Sequence, residues 1–263
     1  MEHMGHLSTL PRFDPATTAQ QSSIVSYFPP VPFDTTIKPV LINESRNVVG
    51  SGHNVGLRTW EAALRLAYYL HLHPDVIGAR NILELGAGTG MLSIFCASNL
   101  NAKHVMATDG LGHVVQGMQD NIELNVDAGL FPESTTSSVP LARDLDWRAS
   151  EEALDSTLKI VAGLTAYDVV LGADITYAPD MLHPLIKMLD TLENRFPGIR
   201  IIISATTRNP ETLALFETTC EELGFEIEDL DQKGIPAYQA QRGFFHEIAL
   251  PIRIMGITRK TTK

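Results

Sequence analysis

Two hydrophobic patterns alternate along the chain. Short runs are apolar almost throughout, and longer stretches carry apolar residues at helical spacing. Because a membrane span needs roughly 18 apolar residues, these runs are too short to cross a bilayer. They predict strands buried on both faces, as in a parallel sheet. The predicted strands lie within residues 37–42, 81–85, 104–108, 140–147, 167–173, 201–204, 225–230 and 244–254.

Helical spacing predicts helices between these strands. Ser150, followed by acids, is typical of a helix start, and so is Asn209 followed by Pro210. Strands that alternate with helices indicate an α/β fold, a sheet covered by helices on both faces. The predicted helices are residues 57–71, 91–100, 111–125, 150–158, 181–192 and 211–223.

The 263 residues are expected to form one large domain with two short flanking segments. Residues 1–36, rich in Pro, Thr, Ser and Gln, predict an extended N-terminal arm, and we draw nothing from their opening MEHMGH, which resembles residues left by cloning. Residues 37–255 hold the strand and helix alternation and form the predicted domain. Residues 256–263 are expected to be a C-terminal tail.

Composition limits the compartment and the partners. A hydrophobic content of 44% predicts a folded core, and a net charge of −11 disfavours a nucleic-acid partner. Cys96 and Cys220 lack the spacing of a metal or redox pair, so we expect reduced core thiols. No apolar signal core is present and the histidines show no paired ligand spacing, so we expect a soluble cytoplasmic protein without a metal site.

A glycine-rich turn, LELGAGTG at residues 83–90, joins the first core strand to its helix. Gly86, Gly88 and Gly90 permit positive φ angles and let backbone amides approach a ligand closely. Asp109 ends the next strand, where an acid accepts hydrogen bonds from ribose hydroxyls. The combination predicts an adenosine-type ligand, and a tight turn without a ligand is the alternative.

The chemistry around this turn favours one adenosine ligand. Its GxGxG spacing departs from the GxGxxG of dinucleotide sites, and Glu84 lies two residues before the first glycine. A carboxylate there disfavours a diphosphate and suits an amino group or a sulfonium. The predicted cofactor is therefore S-adenosylmethionine.

The stretch LGADITYAPD, residues 171–180, ends a core strand with an acid and a phenol. In such sheets ligands lie beyond the carboxyl ends of the strands, so Asp174 and Tyr177 are expected to face the site. The alternative is that Asp174 caps the following helix, but Asp180 is the predicted cap there.

Several segments together resemble the seven-stranded class I methyltransferases, and most closely the protein-lysine methyltransferases, over roughly residues 38–255. They are GLRTWEAAL (56–64), LELGAGTG, Asp109, DNIELN (120–125), LDW (145–147) and ADITY (173–177). ATTRNPETLALF, residues 205–216, resembles the elongation factor 2 lysine methyltransferases in particular. The resemblance implies a Rossmann-like, doubly wound sheet of seven strands whose last strand is antiparallel.

The resemblance also implies residue roles. Asp174 and Tyr177 match the DxxY signature and would be catalytic, and Arg208 would lie at the substrate rim or serve structure alone. Trp60, one or two turns into its helix, and Trp147 have core packing as their alternative. Solvated helix positions are expected for Asp120, Asn121 and Asn125. The expected cofactor-binding residues are Trp60, Glu84, Gly86, Ala87, Gly88, Asp109, Trp147 and Ala173.

The implied function is transfer of methyl from S-adenosylmethionine to a lysine of translation elongation factor 2, by a monomer that contacts neither nucleic acid nor membrane. One alternative is methylation of another protein, such as a chaperone or a different translation factor. The other is a cofactor-binding partner protein without turnover. An intact DxxY pair, Asp174 and Tyr177, disfavours this last alternative.

Overall fold

The computed structural model describes residues 22–30, 38–45, 52–132, 139–158, 166–231 and 240–260. The strands are β1 (Ser22–Tyr27), β2 (Val40–Ser45), β3 (Asn81–Leu85), β4 (His104–Asp109), β5 (Leu141–Asp144), β6 (Val169–Ala173), β7 (Arg200–Thr206), β8 (Phe225–Asp229) and β9 (Ile252–Arg259). The helices are α1 (Glu61–Leu72), α2 (Met91–Asn99), α3 (Gly112–Asp127), α4 (Glu151–Leu158), α5 (Pro179–Arg195) and α6 (Pro210–Glu222).

The main sheet has seven strands in the order β5-β4-β3-β6-β7-β9-β8. β9 runs antiparallel to both of its neighbours, β7 and β8. The other neighbouring pairs, β5-β4, β4-β3, β3-β6 and β6-β7, are parallel. This confirms the predicted seven-stranded fold with an antiparallel last strand. The strand order reverses between β3 and β6, and ligands bind at such a switch point, beyond the carboxyl ends of the strands.

The core lies on both faces of this sheet. Side chains alternate along β3, so Ile82 packs into the cluster on one face and Leu83 into the cluster on the other. Both are fully buried. Burial on two faces explains why the strands are apolar almost throughout, which is the pattern that predicted a parallel sheet.

The two N-terminal strands form a separate antiparallel pair that is attached to α3. Asn125 accepts a hydrogen bond from the Leu41 N–H at 3.0 Å and donates to the Leu41 carbonyl at 2.6 Å. Asn121 accepts from the Asn43 N–H at 2.8 Å. The prediction of solvated side chains was wrong for both asparagines, because their amides satisfy the edge of β2 that β1 leaves unpaired.

Asp120, at the position before Asn121 in the same helix, is exposed as predicted. It accepts a hydrogen bond from Gln116 on the surface of α3. A helix places residues four apart on one face, so Asn121 and Asn125 share the buried face and Asp120 does not.

Several element boundaries differ from the sequence prediction, and two elements differ by four residues or more at their first residue. The predicted strand at 244–254 begins only at Ile252 and ends at Arg259, so residues 256–259 of the predicted tail belong to the sheet. Before this strand, Phe244 has a φ of +44° and donates its N–H to the Phe28 carbonyl at 2.7 Å, so this segment bonds to the N-terminal arm. The helix predicted from residue 57 begins at Glu61, and a 3-10 helix precedes it at Gly52–Leu57.

Two predicted helix starts and the predicted burial of both cysteines are confirmed. The side chain of Asn209 accepts hydrogen bonds from two N–H groups at the start of α6, and Ser150 Oγ accepts one from Ala153 at the start of α4. Cys96 and Cys220 are buried and unbridged. Among the described residues, no helix is both long and apolar enough to cross a membrane.

Candidate active site

The carboxyl ends of β3, β4 and β6 open into a cleft of about 280 Å³. Every residue that the sequence predicted for cofactor binding or catalysis lines this cleft. They are Trp60, Glu84, Gly86, Ala87, Gly88, Asp109, Trp147, Ala173, Asp174 and Tyr177. Arg208 lines an adjoining cavity of about 200 Å³ that shares Trp60 with the cleft.

The glycine turn lies against the cleft with little room for side chains. Gly86 has a φ of +61°, and a Cβ there would come within 2.6 Å of the Ile175 side chain. A Cβ on Gly88, at a φ of +53°, would lie 3.3 Å from the Gly56 carbonyl oxygen. The turn is tied to β4 by the Ala87 N–H, which donates to the Thr108 carbonyl at 2.8 Å. Glycine is therefore required by conformation and by space.

Asp109 connects this turn to the end of β4. Its carboxylate accepts hydrogen bonds from the N–H groups of Gly88 and Leu111, each at 3.2 Å. Burial raises the pKa of Asp109, and these backbone donors oppose the rise. A carboxylate has about four acceptor positions, so these backbone donors leave room for a further donor such as a ribose hydroxyl.

Glu84 is the most buried acid of the cleft, with 2% of its surface exposed. Ser93 on α2 donates its hydroxyl to the carboxyl group. Burial raises the pKa of Glu84 to about 8, and the negative charge of Asp109 adds to the rise. The group is therefore mostly protonated at pH 7, and a cation beside it would favour its ionised form.

The two tryptophans lie on different walls of the cleft. Trp147 follows β5, and its ring lies 3.4 Å from the position that a Cβ of Gly86 would take. Trp60 immediately precedes α1 in an extended conformation, so the prediction that it lies inside the helix was wrong. Its indole N–H donates to the Val55 carbonyl at 2.8 Å, which ties the ring to the preceding 3-10 helix.

Asp174 directly follows β6 with a φ of +55°, and only 8% of it is exposed. Its carboxylate accepts the N–H of Thr206 at 2.9 Å, the hydroxyl of Thr206 at 3.1 Å and the guanidinium of Arg208 at 3.0 Å. Helix α5 begins after Ala178, which makes no side-chain cap. Asp180 lies in the first turn of α5, so its predicted role as cap was wrong.

Tyr177 lies at the mouth of the cleft and is 54% exposed. Partial burial raises the pKa of its phenol, and the carboxylates of Asp109 and Asp180 add to the rise. The phenol therefore stays protonated at physiological pH and keeps a donor and an acceptor at the entrance.

Sequence reasoning missed a row of alternating charges beside the cleft. Arg58 pairs with Glu61 at 3.0 Å, Glu61 pairs with Arg208 at 3.2 Å, and Arg208 pairs with Asp174 at 3.0 Å. Both guanidinium groups also approach the Trp60 ring, with centroid distances of 5.1 Å for Arg58 and 4.9 Å for Arg208. Arg58 and Glu61 are three positions apart, a spacing from which their ion pair could have been predicted. No local signal joins Arg208 to either acid.

The N-terminal strand pair supports the wall that carries this row. Glu44 on β2 accepts the Tyr27 hydroxyl and the Thr59 N–H, both at 2.8 Å. Thr59 shares a hydroxyl hydrogen bond of 2.8 Å with Thr89 of the glycine turn. Residues 22–27 of the predicted arm are thus linked through Glu44 to the segment that positions Trp60.

The residues of the cleft fit S-adenosylmethionine. Gly86 and Gly88 line the cleft without side chains, so their backbone can approach a ligand closely. Asp109 keeps acceptor positions suited to ribose hydroxyls, and the buried Glu84 suits a cationic amino group. Trp60 and Trp147 add aromatic surface, which suits an adenine ring and a sulfonium.

Comparisons with known proteins agree with this chemistry. Residues 44–221 match a family described as lysine methyltransferase. The protein-lysine N-methyltransferase EFM3 of Chaetomium thermophilum is 35% identical over 98% of this chain and 74% of that protein. The protein-lysine N-methyltransferase EEF2KMT of Bos taurus is 31% identical over 75% of this chain. EFM3 of Saccharomyces cerevisiae is 28% identical over 87% of this chain and 68% of that protein.

The chain covers 61% of the bovine protein, so the alignment leaves a considerable part of that relative unmatched. The family match nevertheless includes the glycine turn, the acid at the end of β4 and the Asp174–Tyr177 pair. With the seven-stranded sheet and a cleft that fits the cofactor, the chain belongs to the lysine methyltransferase family, whose cofactor is S-adenosylmethionine.

Proposed function

We propose that this chain transfers methyl groups from S-adenosylmethionine to a lysine of translation elongation factor 2. One observation carries the choice of substrate. The stretch 205–216, which resembles the elongation factor 2 lysine methyltransferases, supplies Thr206 and Arg208, and both bond to Asp174. The segment that distinguishes this subfamily therefore borders the carboxylate expected to meet the substrate.

The proposed cofactor residues act by holding and orienting. The cofactor supplies a methyl group activated by a sulfonium. Asp109 accepts hydrogen bonds from the ribose hydroxyls, and Glu84 faces the amino group. Trp147 contacts the adenine, and Trp60 offers an indole face to the sulfonium, which is worth roughly 0.5–2 kcal/mol. Ala87 and Ala173 line the wall between these groups.

The acceptor side has to deliver a neutral amine. A lysine with an ordinary pKa near 10.4 costs about 4.6 kcal/mol to deprotonate at pH 7. A carboxylate alone would increase this cost, because it stabilises the ammonium. In our proposal Asp174 therefore orients the amine, and burial beside the sulfonium favours the neutral form. Tyr177 forms the entrance of the channel and hydrogen-bonds the amine as it enters.

The net charge of the chain bears on the class of its substrate. The net charge of −11 favours a protein substrate with a basic target over a nucleic acid. We propose a cytoplasmic monomer, and gel filtration with light scattering tests the monomer directly.

The test is a methyl-transfer assay with isotopically labelled S-adenosylmethionine. The chain is added to an extract of cells that lack it and to purified elongation factor 2 made unmethylated in bacteria. The expected result is label on one lysine of elongation factor 2, mapped by peptide mass spectrometry. Label on a lysine of another protein would contradict the substrate and retain the chemistry. Cofactor binding without label on any lysine would contradict the activity itself.

A further inference from the structure

The carboxylate of Asp174 is already charge-paired inside the protein. Arg208 donates to one oxygen at 3.0 Å, and Thr206 donates to both oxygens through its N–H and its hydroxyl. Of the four acceptor positions of a carboxylate, about one remains for a substrate. Asp174 is therefore not an isolated anion that awaits a cation.

The guanidinium of Arg208 is held in place from three directions. Glu61 accepts a second N–H at 3.2 Å, and the ring of Trp60 lies with its centroid 4.9 Å away. Helix α6 does not depend on Arg208 for its start, because Asn209 caps it. The guanidinium is therefore positioned by its contacts with Asp174 and Trp60, and not by a role in starting α6.

The other charged and titratable groups around Asp174 come from every element that borders the cleft. Among the described residues they are Arg58 and Glu61 at the start of α1, Glu84 on β3, Asp109 on β4, Asp146 and Arg148 after β5, Tyr177 and Asp180 around the start of α5, and Glu247 in the adjoining cavity. Acids outnumber bases in this set. The acceptor end of the cleft would therefore favour an ammonium ion over a neutral amine unless a cation were paired to Asp174.

We propose that Arg208 is a positioning residue for methyl transfer: held on Asp174, its guanidinium offsets the charge of that carboxylate, so that the substrate lysine binds as the neutral amine. This rests on the proposed function, in which the lysine enters the cleft beside Asp174. The ammonium proton leaves to solvent, and Asp174 keeps one acceptor position for an amine N–H. Arg208 therefore acts in two ways. It holds the carboxylate of Asp174 in place, and its positive charge offsets the negative charge of that carboxylate.

The experiment measures kcat between pH 6.5 and 10 with labelled cofactor and saturating unmethylated elongation factor 2, because kcat reports the ionisation of the bound lysine. In Arg208→Gln the rising limb of the profile is expected to move about one unit to higher pH, a tenfold loss at pH 7 that disappears near pH 10. Arg208→Lys keeps the charge and restores the profile. Arg200→Gln is the matched control, because it removes the same charge from an exposed arginine at the start of β7, the end of that strand that lies away from Asp174. Its profile is expected to keep the wild-type midpoint.

Two results would overturn this inference. An equal loss at every pH in Arg208→Gln would make Arg208 a structural residue only. A gain at pH 7 would mean that the guanidinium occupies the place of the amine and hinders it. Circular dichroism and the Kd of the cofactor verify that the variant folds.

A second variant carries the test if Arg208→Gln does not fold. Glu61→Gln removes the second carboxylate that the Arg208 guanidinium contacts, so Arg208 offsets the charge of Asp174 more fully. The midpoint of the pH profile is therefore expected to move to lower pH. An unchanged or higher midpoint would contradict the inference. Failure of the proposed function is visible separately, because the wild-type chain would then label no lysine of elongation factor 2 at any pH.

Discussion

Two buried acids on neighbouring strands, Glu84 and Asp174, have opposite electrostatic surroundings. Glu84 lies on β3 and receives a neutral hydroxyl from Ser93. Asp174 directly follows β6 and receives a guanidinium as well as two donors of Thr206. Burial is similar, with 2% of Glu84 and 8% of Asp174 exposed. The difference between the two acids therefore lies in their partners.

This difference separates two tasks within one cleft. A buried acid without a cation holds its proton until a cationic group binds, as the raised pKa of Glu84, about 8, indicates. An acid paired to a guanidinium has a directional, charge-assisted partner that fixes its geometry. In our proposal the first suits recognition of the amino group of the cofactor, and the second suits orientation of a neutral amine.

Removing Asp174 has the largest expected effect. Asp174→Ala should lower methyl transfer by at least about a hundredfold, because the acceptor loses its orienting group. Calorimetry should show nearly unchanged cofactor binding. Asp174→Asn, which still accepts from the Thr206 N–H, controls for damage to the fold and should be similarly inactive. Normal turnover in either variant would contradict the proposed role of Asp174.

Glu84→Gln tests the other acid through stability. The pKa of Glu84 is about 8 in the folded protein against an ordinary 4.5, so the folded state binds more protons between these values. Stability must therefore fall as pH rises through this window. Glu84→Gln removes that loss and should stabilise the protein by roughly 3–5 kcal/mol at pH 8 and little at pH 4.5.

Urea unfolding at the two pH values measures this difference. Glu228→Gln, on the exposed side of β8, is the control and should change stability at neither pH. An equal effect of Glu84→Gln at both pH values would show that burial does not raise the pKa of Glu84.

Gly86→Ala tests the turn that lies between the two acids. The added Cβ meets Ile175 at 2.6 Å in a left-handed conformation, so we expect a loss of about 2 kcal/mol in stability and about tenfold weaker cofactor binding. Gly117→Ala is the matched control, because no atom lies within 4 Å of its Cβ in α3. That variant should gain about 1 kcal/mol. Similar unfolding midpoints for the two variants would contradict the steric argument.

Proton release on cofactor binding is the smallest expected effect. If the amino group of S-adenosylmethionine meets Glu84, the acid ionises and releases up to about one proton per cofactor at pH 7. Calorimetry in buffers of different ionisation enthalpy counts these protons. Glu84→Gln should release none, and an equal count from both proteins would place the proton elsewhere.

The sequence by itself determined the fold class and most of the cleft. Alternate residues of β3 pack into the core clusters on the two faces of the sheet, so the strand is apolar almost throughout. Such an apolar run is explained by a sheet that is covered on both faces. Strand ends in a parallel sheet meet at one edge. The glycine turn, Asp109, Asp174 and Tyr177 could therefore be assigned to one cleft from their positions after strands, and they all line it.

The tertiary structure decided how these residues are partnered. Arg208 meets Glu61 across 147 positions of sequence, and Asn121 and Asn125 meet β2 across about 80. Local patterns record propensity and hydrophobic periodicity, and these extend over a few residues. A buried polar group finds its partner only when distant elements pack, because packing removes water from both groups at once. The pairing of Asp174 with Arg208 and Thr206, on which the proposed chemistry of the cleft depends, is formed at that step.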